Sequence, residues 1–382
     1  MAAELVFGAK WMLWAGLAIP AYAYLGYPLV LIALRKVIHR KVRKAPYTPF
    51  ISILIPAYNE AAMIAHKIQS CLDLDYPPSR MEIVVACDGP RDGTTQIAQR
   101  FQDGLRVRVL DYTRNRGKIA TLNDAVKSLS GEIVVFSDAA ALLYRDSVRH
   151  LIENFADPEV GAVSGKYTVI KADEVDVGKS EDFYWKYETF LKVQESELSS
   201  TLGGHGHLHA IRKSLYPFPP PGTINDDYVI PVSVLAKGYR AVYDPKAIVF
   251  EEAREMSGFG RRVRIMAGNI QQIREIKGVI RPFRPLPLFF FLSHKVSRLL
   301  VPFGMVAAIL ANLFLALLPG IEPSYLLLLL GQGIFYLLAA LGAFTKLQPK
   351  LLMLPYYFCM INVATFFGLY YAVASKQKMA WK

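Results

Sequence analysis

The sequence predicts a Rossmann-like α/β domain flanked by transmembrane α-helices. Three observations predict it. Short apolar, β-branched runs alternate with helical spacing between Phe50 and Phe136, which argues for a parallel, doubly wound sheet. Four apolar runs of membrane-spanning length, Trp11–Leu34, Leu299–Leu318, Tyr325–Phe344 and Leu351–Ala374, bracket that region. Hydrophobic residues make up 53% of the 382 residues and mean hydropathy is +0.25, more than a purely soluble chain needs.

The N-terminal run carries no charge, and Trp11, Trp14, Tyr22, Tyr24 and Tyr27 suit its ends. A cleaved signal peptide is the competing reading, but the run is long for one and its basic flank follows it. That flank, Arg35, Lys36, Arg40, Lys41, Arg43 and Lys44, holds much of the formal net charge of +12. Its place directly after an apolar run reads as a cytoplasmic anchor, leaving the N-terminus outside and the following domain in the cytoplasm. No aromatic-interleaved basic patch is present, so no nucleic-acid partner is expected. Cys71, Cys87 and Cys359 form no paired framework, which predicts a reducing compartment and no structural zinc.

The expected division is an N-terminal span with its flank over 1–45, an α/β domain over 46–280, and the remaining spans over 281–382. Strands are expected at Phe50–Ile55, Glu82–Cys87, Val107–Leu110 and Ile133–Phe136, with helices at Glu60–Leu72, Thr94–Phe101 and Lys118–Leu129 between them. Beyond Asp146, Val160–Ile170, Gly203–Ile211 and Ala241–Val249 read as strands. Phe183–Leu198, Asp226–Ala236 and Arg261–Ile276 read as helices. Leu286–Leu292 is short and set among charges, so it is expected to lie in the membrane interface. Three spans after a cytoplasmic domain put the C-terminus outside, against the basic tail Lys376–Lys382.

Six stretches carry chemistry. Ile133–Phe136 runs into Ser137-Asp138-Ala139-Ala140, placing a carboxylate at the carboxyl end of a buried strand, where open α/β sheets bind ligands. Such an acid suits a divalent metal carrying a diphosphate, although a helix cap is the plainer reading. Ile55-Pro56-Ala57-Tyr58-Asn59-Glu60 ends a strand with an aromatic ring able to stack on a nucleobase. Cys87-Asp88-Gly89 is a sharp acidic turn. Arg114-Asn115-Arg116-Gly117-Lys118 brings a cation to a helix N-terminus, which suits phosphate. Thr223-Ile224-Asn225-Asp226-Asp227 supplies paired carboxylates; the like charge raises the pKa of one of them, which favours a general base. Arg261-Arg262-Val263-Arg264-Ile265 is a basic helix.

Taken in order along the chain, the stretches resemble the membrane-bound family 2 glycosyltransferases, which have a GT-A domain and include cellulose, hyaluronan and poly-N-acetylglucosamine synthases and ceramide glucosyltransferases. The resemblance runs from about Phe50 to Asn269. It implies an inverting transfer of a sugar from a nucleotide-diphosphate sugar, first of all a UDP-sugar, to a lipid or glycan acceptor at the membrane. Tyr58, Glu60, Asp88, Lys118, Asp138, Arg261 and Arg264 match donor-binding positions. Asp227 matches the base, with Asp226 beside it. Gly206, His207 and Trp185 fall at the acceptor side, and Asp138 matches a ligand of Mg2+ or Mn2+. Two departures stand out. Ala140 occupies the third position of the family's D-x-D and cannot ligate a metal. Ile265 replaces a tryptophan that lines the acceptor site of the polymer synthases, which favours a lipid or short acceptor. On the expected strand His205, His207 and His209 share one face, a possible substitute for the missing ligand. A nucleotide-sugar-binding subunit without activity is the alternative that Ala140 supports.

Overall fold

The computed structural model describes residues 2–170, 177–204, 206–252, 259–274, 284–344 and 349–374. Its centre is an eight-stranded sheet of β1 (Ile51–Ala57), β2 (Met81–Asp88), β3 (Val107–Tyr112), β4 (Ile133–Phe136), β5 (Leu142–Leu143), β6 (Val160–Ile170), β7 (His209–Arg212) and β8 (Arg240–Glu252), in the order β3-β2-β1-β4-β7-β6-β8-β5. The first four strands in that order are parallel, as expected. Beyond them the sheet is mixed rather than parallel, because β7 runs antiparallel to both β4 and β6.

The apolar runs become central strands because both faces are covered. On β1, Ile51, Ile53 and Ile55 enter one core and Leu54 the other; on β4, Ile133 and Val135 oppose Val134 and Phe136 in the same way. This is the continuous hydrophobic run of a sheet buried on two sides. Pairing of β1 with β4 stops at Leu54↔Phe136, so Pro56, which has no N–H, leaves no gap in that ladder. β1 therefore runs through Pro56 to Ala57.

Helices α3 (Ile64–Leu72), α4 (Thr94–Gln99), α5 (Lys118–Lys127) and α6 (Ser147–Glu153) connect and cover these strands. One face meets α3 and α6. The other meets α5, α7 (Val177–Leu198) and two apolar helices from outside the sheet. The chain order reverses between β1 and β4, which opens a crevice at their carboxyl ends.

Among the described residues, four helices are long and apolar enough to cross a membrane: 3–35, 285–316, 323–344 and 351–372. The first joins α1 (Ala2–Ala21) to α2 (Tyr27–Arg35) through a π-turn at Tyr22–Gly26. The stretch 286–292 is not a separate interfacial helix. It opens a continuous helix in which α10 (Pro285–Phe290) passes through a π-turn, Phe291–Val296, into α11 (Ser297–Ala316). His294, which seemed to end the apolar run, is fully buried and bonds through Nδ1 to Glu195 of α7 at 2.6 Å. Tyr27 donates to the same carboxylate oxygen at 2.7 Å. Arg298 pairs with Glu188. Helix α7 thus fastens the sheet to the apolar helices through partnered buried charges.

Gly16 and Gly304 let α1 and α11 meet backbone to backbone. A Cβ on Gly16 would fall 2.6 Å from the Gly304 carbonyl oxygen, the close approach that small residues permit. The last two apolar helices are α12 (Pro323–Phe344) and α13 (Lys350–Val373). Lys10 pairs with Glu322 at 3.2 Å, so the start of the chain and the turn before α12 lie at the same end of the bundle. The basic tail 376–382 lies outside the described residues.

Candidate active site

The crevice at the β1–β4 reversal collects residues that lie far apart in the chain. Asp138 follows β4 directly. Lys118 opens α5, and its ammonium donates to Asp138 Oδ1 at 2.9 Å. The same nitrogen lies 2.9 Å from Asp226 Oδ2. Asp226 and Asp227 open α8 (Asp226–Ser233), and Gly206 closes the group. A Cβ on Gly206 would lie 3.6 Å from Asp138 Oδ2, 3.7 Å from Asp227 Cβ and 4.0 Å from Lys118 Nζ. Five of the expected residues therefore surround one small space.

Their surroundings set their charge. Burial pushes the Asp138 carboxyl upward, but Lys118 and, behind it, His207 and His209 hold it below the usual carboxylate range. Burial likewise opposes the charge on Lys118, yet Asp138 and Asp226 raise its pKa above that of a free lysine. Asp227 goes the other way. Burial and then the Asp226 charge raise its carboxyl, with Lys192, Lys118 and Lys295 pulling back.

The acid turn is braced by its backbone. The Gly204 amide donates to the Asp227 carbonyl at 2.7 Å, and the Gly204 carbonyl accepts from the Lys192 ammonium at 2.9 Å. Burial pushes Lys192 down to about 8. Asn225 reaches across to α9 (Phe259–Arg274), donating to the Ile265 carbonyl at 3.3 Å and to Asn269 at 3.1 Å.

The donor side is built from clipped loops. Asn59 adopts φ +55° and accepts the Arg91 amide at 2.9 Å, a left-handed conformation that asparagine tolerates. Tyr58 and Glu60, on either side of it, are half-buried at the end of β1. Asp88 is fully buried, and its oxygens take the amides of Arg116 (3.0 Å) and Gly117 (2.8 Å). It shapes the loop that carries Lys118. Gly89 has φ +63°, and a Cβ there would meet the Arg114 carbonyl carbon at 2.6 Å, so only glycine fits the turn. Beside it opens a polar cleft of about 470 Å3, lined by residues that include Arg91, Asp111, Tyr112, Arg114 and Asn115.

The expected acceptor residues form a wall. His207 stacks on Tyr167 with centroids 4.3 Å apart, and Tyr167 meets Trp185 edge-on at 5.3 Å. Glu251 accepts from the Tyr167 hydroxyl at 3.1 Å.

One expectation changes, and two arginines add no described contact to the crevice. Strand β7 begins only at His209, so the histidines do not share a strand face. His209 is buried against Phe136 with centroids 4.9 Å apart, His207 sits in the preceding turn, and His205 lies outside the described residues. Arg264 is exposed on α9, and its contacts with the carboxylates are none among those described. The Arg261 side chain is outside the described residues.

Sequence reasoning missed Lys67, Lys192, Lys295 and Tyr167. Lys67 lies on the apolar face of α3 with Ile64, Ile68 and Cys71. Its ammonium is fully buried, donating to Ser137 Oγ at 2.6 Å and to the Ala141 carbonyl. A lysine at a core position of an amphipathic helix was the available signal. Lys295 looked like a charge terminating a membrane segment.

The donor set does not fit a resident divalent metal. Asp138 and Asp226 both face an ammonium, and the third motif position is Ala140. Among the described residues no group of three or more His, Cys, Asp or Glu side chains is arranged to hold a metal ion.

Residues 52–217 match the profile of glycosyl transferase family 2. The poly-beta-1,6-N-acetyl-D-glucosamine synthase of Staphylococcus aureus is 26% identical over 262 residues, covering 65% of this chain and 62% of the relative. That of Staphylococcus epidermidis is 25% identical over 257 residues, covering 65% and 61%. This chain thus spans somewhat less than two thirds of the curated relatives it matches. Among solved structures, the mannosyltransferase PcManGT from Pyrobaculum calidifontis, in complex with GDP-Man and Mn2+, superposes with a TM-score of 0.71. It is 26% identical, and the match covers 96% of this chain and all of the other.

Proposed function

We propose that this chain, whose residues 52–217 match the profile of glycosyl transferase family 2, moves a sugar from a nucleotide-diphosphate donor to a lipid or glycan acceptor at the membrane, with inversion at the anomeric carbon. The convergence of Lys118, Asp138, Asp226 and Asp227 around Gly206 carries this reading.

Asp227 takes the proton of the acceptor hydroxyl as it attacks, which its raised pKa favours. The attack comes from the face opposite the leaving diphosphate. Charge growing on that diphosphate meets Lys118 and the free amides at the start of α5, with Arg264 as a further cation from α9. Tyr58 and Glu60 hold the nucleoside end, on a loop that Asp88 helps to position. The wall of Trp185, Tyr167 and His207 offers aromatic faces to the acceptor.

Mg2+ or Mn2+ at Asp138 has the Mn2+ of the solved mannosyltransferase behind it; Ala140 and the Lys118 ammonium stand against it. The four apolar helices support an integral membrane protein. The basic flank after the first of them supports a catalytic domain on the cytoplasmic side.

Membranes holding the chain, incubated with labelled UDP-sugars and GDP-mannose, test the proposal. Label should move into an organic-extractable or polymeric product as free nucleotide diphosphate appears. Binding of nucleotide sugar without any transfer would favour the non-catalytic subunit.

A further inference from the structure

Lys118 stands where a metal-dependent site would have its cation. We infer that the Lys118 ammonium, fixed between Asp138 and Asp226, is the cation on which the donor diphosphate is bound, so that nucleotide binding by this chain does not require a divalent metal. The inference rests on reading this crevice as the diphosphate site.

A hard divalent cation needs several oxygen ligands, usually six for Mg2+. The D-x-D position offers one carboxylate here, since Ala140 presents a methyl group. Asp138 Oδ1 already accepts from Lys118 at 2.9 Å, and Asp226 Oδ2 faces the same nitrogen at 2.9 Å. An ion shared by these two carboxylates would compete with the ammonium for the same space and the same oxygens. The histidines do not complete a set among the described residues. His209 is turned into the core against Phe136, and His207 lies on Tyr167 with its Nε2 3.5 Å from Glu251.

A second lysine reinforces the arrangement. Lys67 bonds Ser137 and the Ala141 carbonyl from beneath, which fixes the turn that carries Asp138. Ser137 in turn donates to the His207 carbonyl at 2.7 Å, which locks the turn in place.

Lys118 also has capacity to spare. An ammonium has three donors, and Asp138 takes one in hydrogen-bond geometry. Its side chain keeps 18% exposure and that of Asp138 31%, so both border the open crevice. Lys118 begins a ten-residue helix, whose unpaired first amides add positive potential at the same point.

Calorimetric titration of GDP and UDP into the detergent-solubilised full chain tests this, in EDTA and again with Mn2+ or Mg2+. The nucleotide that binds should do so with a Kd that agrees between buffers within about twofold. Lys118→Met should weaken it by about tenfold or more in both buffers, the scale of one lost charged hydrogen bond. Lys118→Arg, which keeps the charge, should restore most of that loss. EDTA weakening the wild-type chain by about tenfold or more, with Mn2+ restoring it, would overturn the inference. So would wild-type affinity in Lys118→Met. The wild-type comparison stands even where Lys118→Met fails to fold. Failure of both nucleotides to bind in every buffer would instead sink the diphosphate reading itself.

Discussion

Gly204 and Asp227 are tied through their backbones: the Gly204 N–H donates to the Asp227 carbonyl at 2.7 Å. The contact is close enough that a Cβ at Gly204 would fall 2.2 Å from Ser164 Oγ and 3.2 Å from the same carbonyl oxygen. Gly204→Ala should therefore push the acid turn away from β6 and cost about 1–3 kcal/mol of stability. At Gly206 a Cβ meets Asp138 and Asp227 only at 3.6 and 3.7 Å. Gly206→Ala should melt like the wild-type chain yet raise the KM for acceptor, because the methyl fills space between the reacting groups. Melting curves paired with acceptor titrations separate the two effects.

A base must be unprotonated to act, so kcat/KM should rise with pH through the pKa of Asp227 and then level. Burial and the Asp226 charge hold that pKa above the usual value of about 3.9, so the acid limb should fall above the range of a free aspartate. Asp226→Asn removes the neighbouring negative charge. The limb should then move to lower pH, as a pH–rate profile of the variant against the wild-type chain would record. A limb that stays in place would assign the titration to another group.

Where α7 meets the membrane helices, His294 is fully buried between Glu195 (2.6 Å) and Glu188 (3.4 Å). Burial raises the Glu195 carboxyl, but His294 and Tyr27 hold it low. Removing the histidine leaves the buried Glu195 carboxylate with the neutral Tyr27 hydroxyl but without the imidazole beside it, while Glu188 keeps Arg298. His294→Leu should cost about 3–5 kcal/mol, read as an earlier thermal or denaturant transition of the solubilised chain. Any transfer measured below that transition should persist, because His294 does not border the crevice at Gly206.

The parallel half of the sheet was legible because its strands are buried on both faces, so Ile51–Ala57 and Ile133–Phe136 read as unbroken apolar runs ending at the crevice. Asp138, Lys118, Asp226 and Asp227 were legible as motif residues, and the fold brings them together. The region around 203–209 was not. Its glycine and histidine spacing imitates a strand, while the Gly204–Asp227 and Lys192–Gly204 bonds, which no local pattern reveals, hold Gly204 outside the sheet, and the strand begins only at His209. Lys67, Lys192 and Lys295 escaped for a related reason. Lys67 sits among apolar residues of α3 and bonds Ser137 and Ala141 far along the chain, while Lys192 shares a buried polar face with Glu188 and Glu195 and reaches the Gly204 carbonyl beyond its own helix. The continuity of α10 with α11 was hidden in the same way, because His294 interrupts the apolar run while its acids lie on α7.

The central claim is that Asp227 removes the acceptor proton at a crevice that also grips the diphosphate. The most direct measurement compares sugar transfer and nucleotide binding in Asp227→Asn with the wild-type chain. The account predicts that transfer falls by about 10²–10⁴-fold while nucleotide affinity is kept. Transfer at the wild-type rate would contradict it.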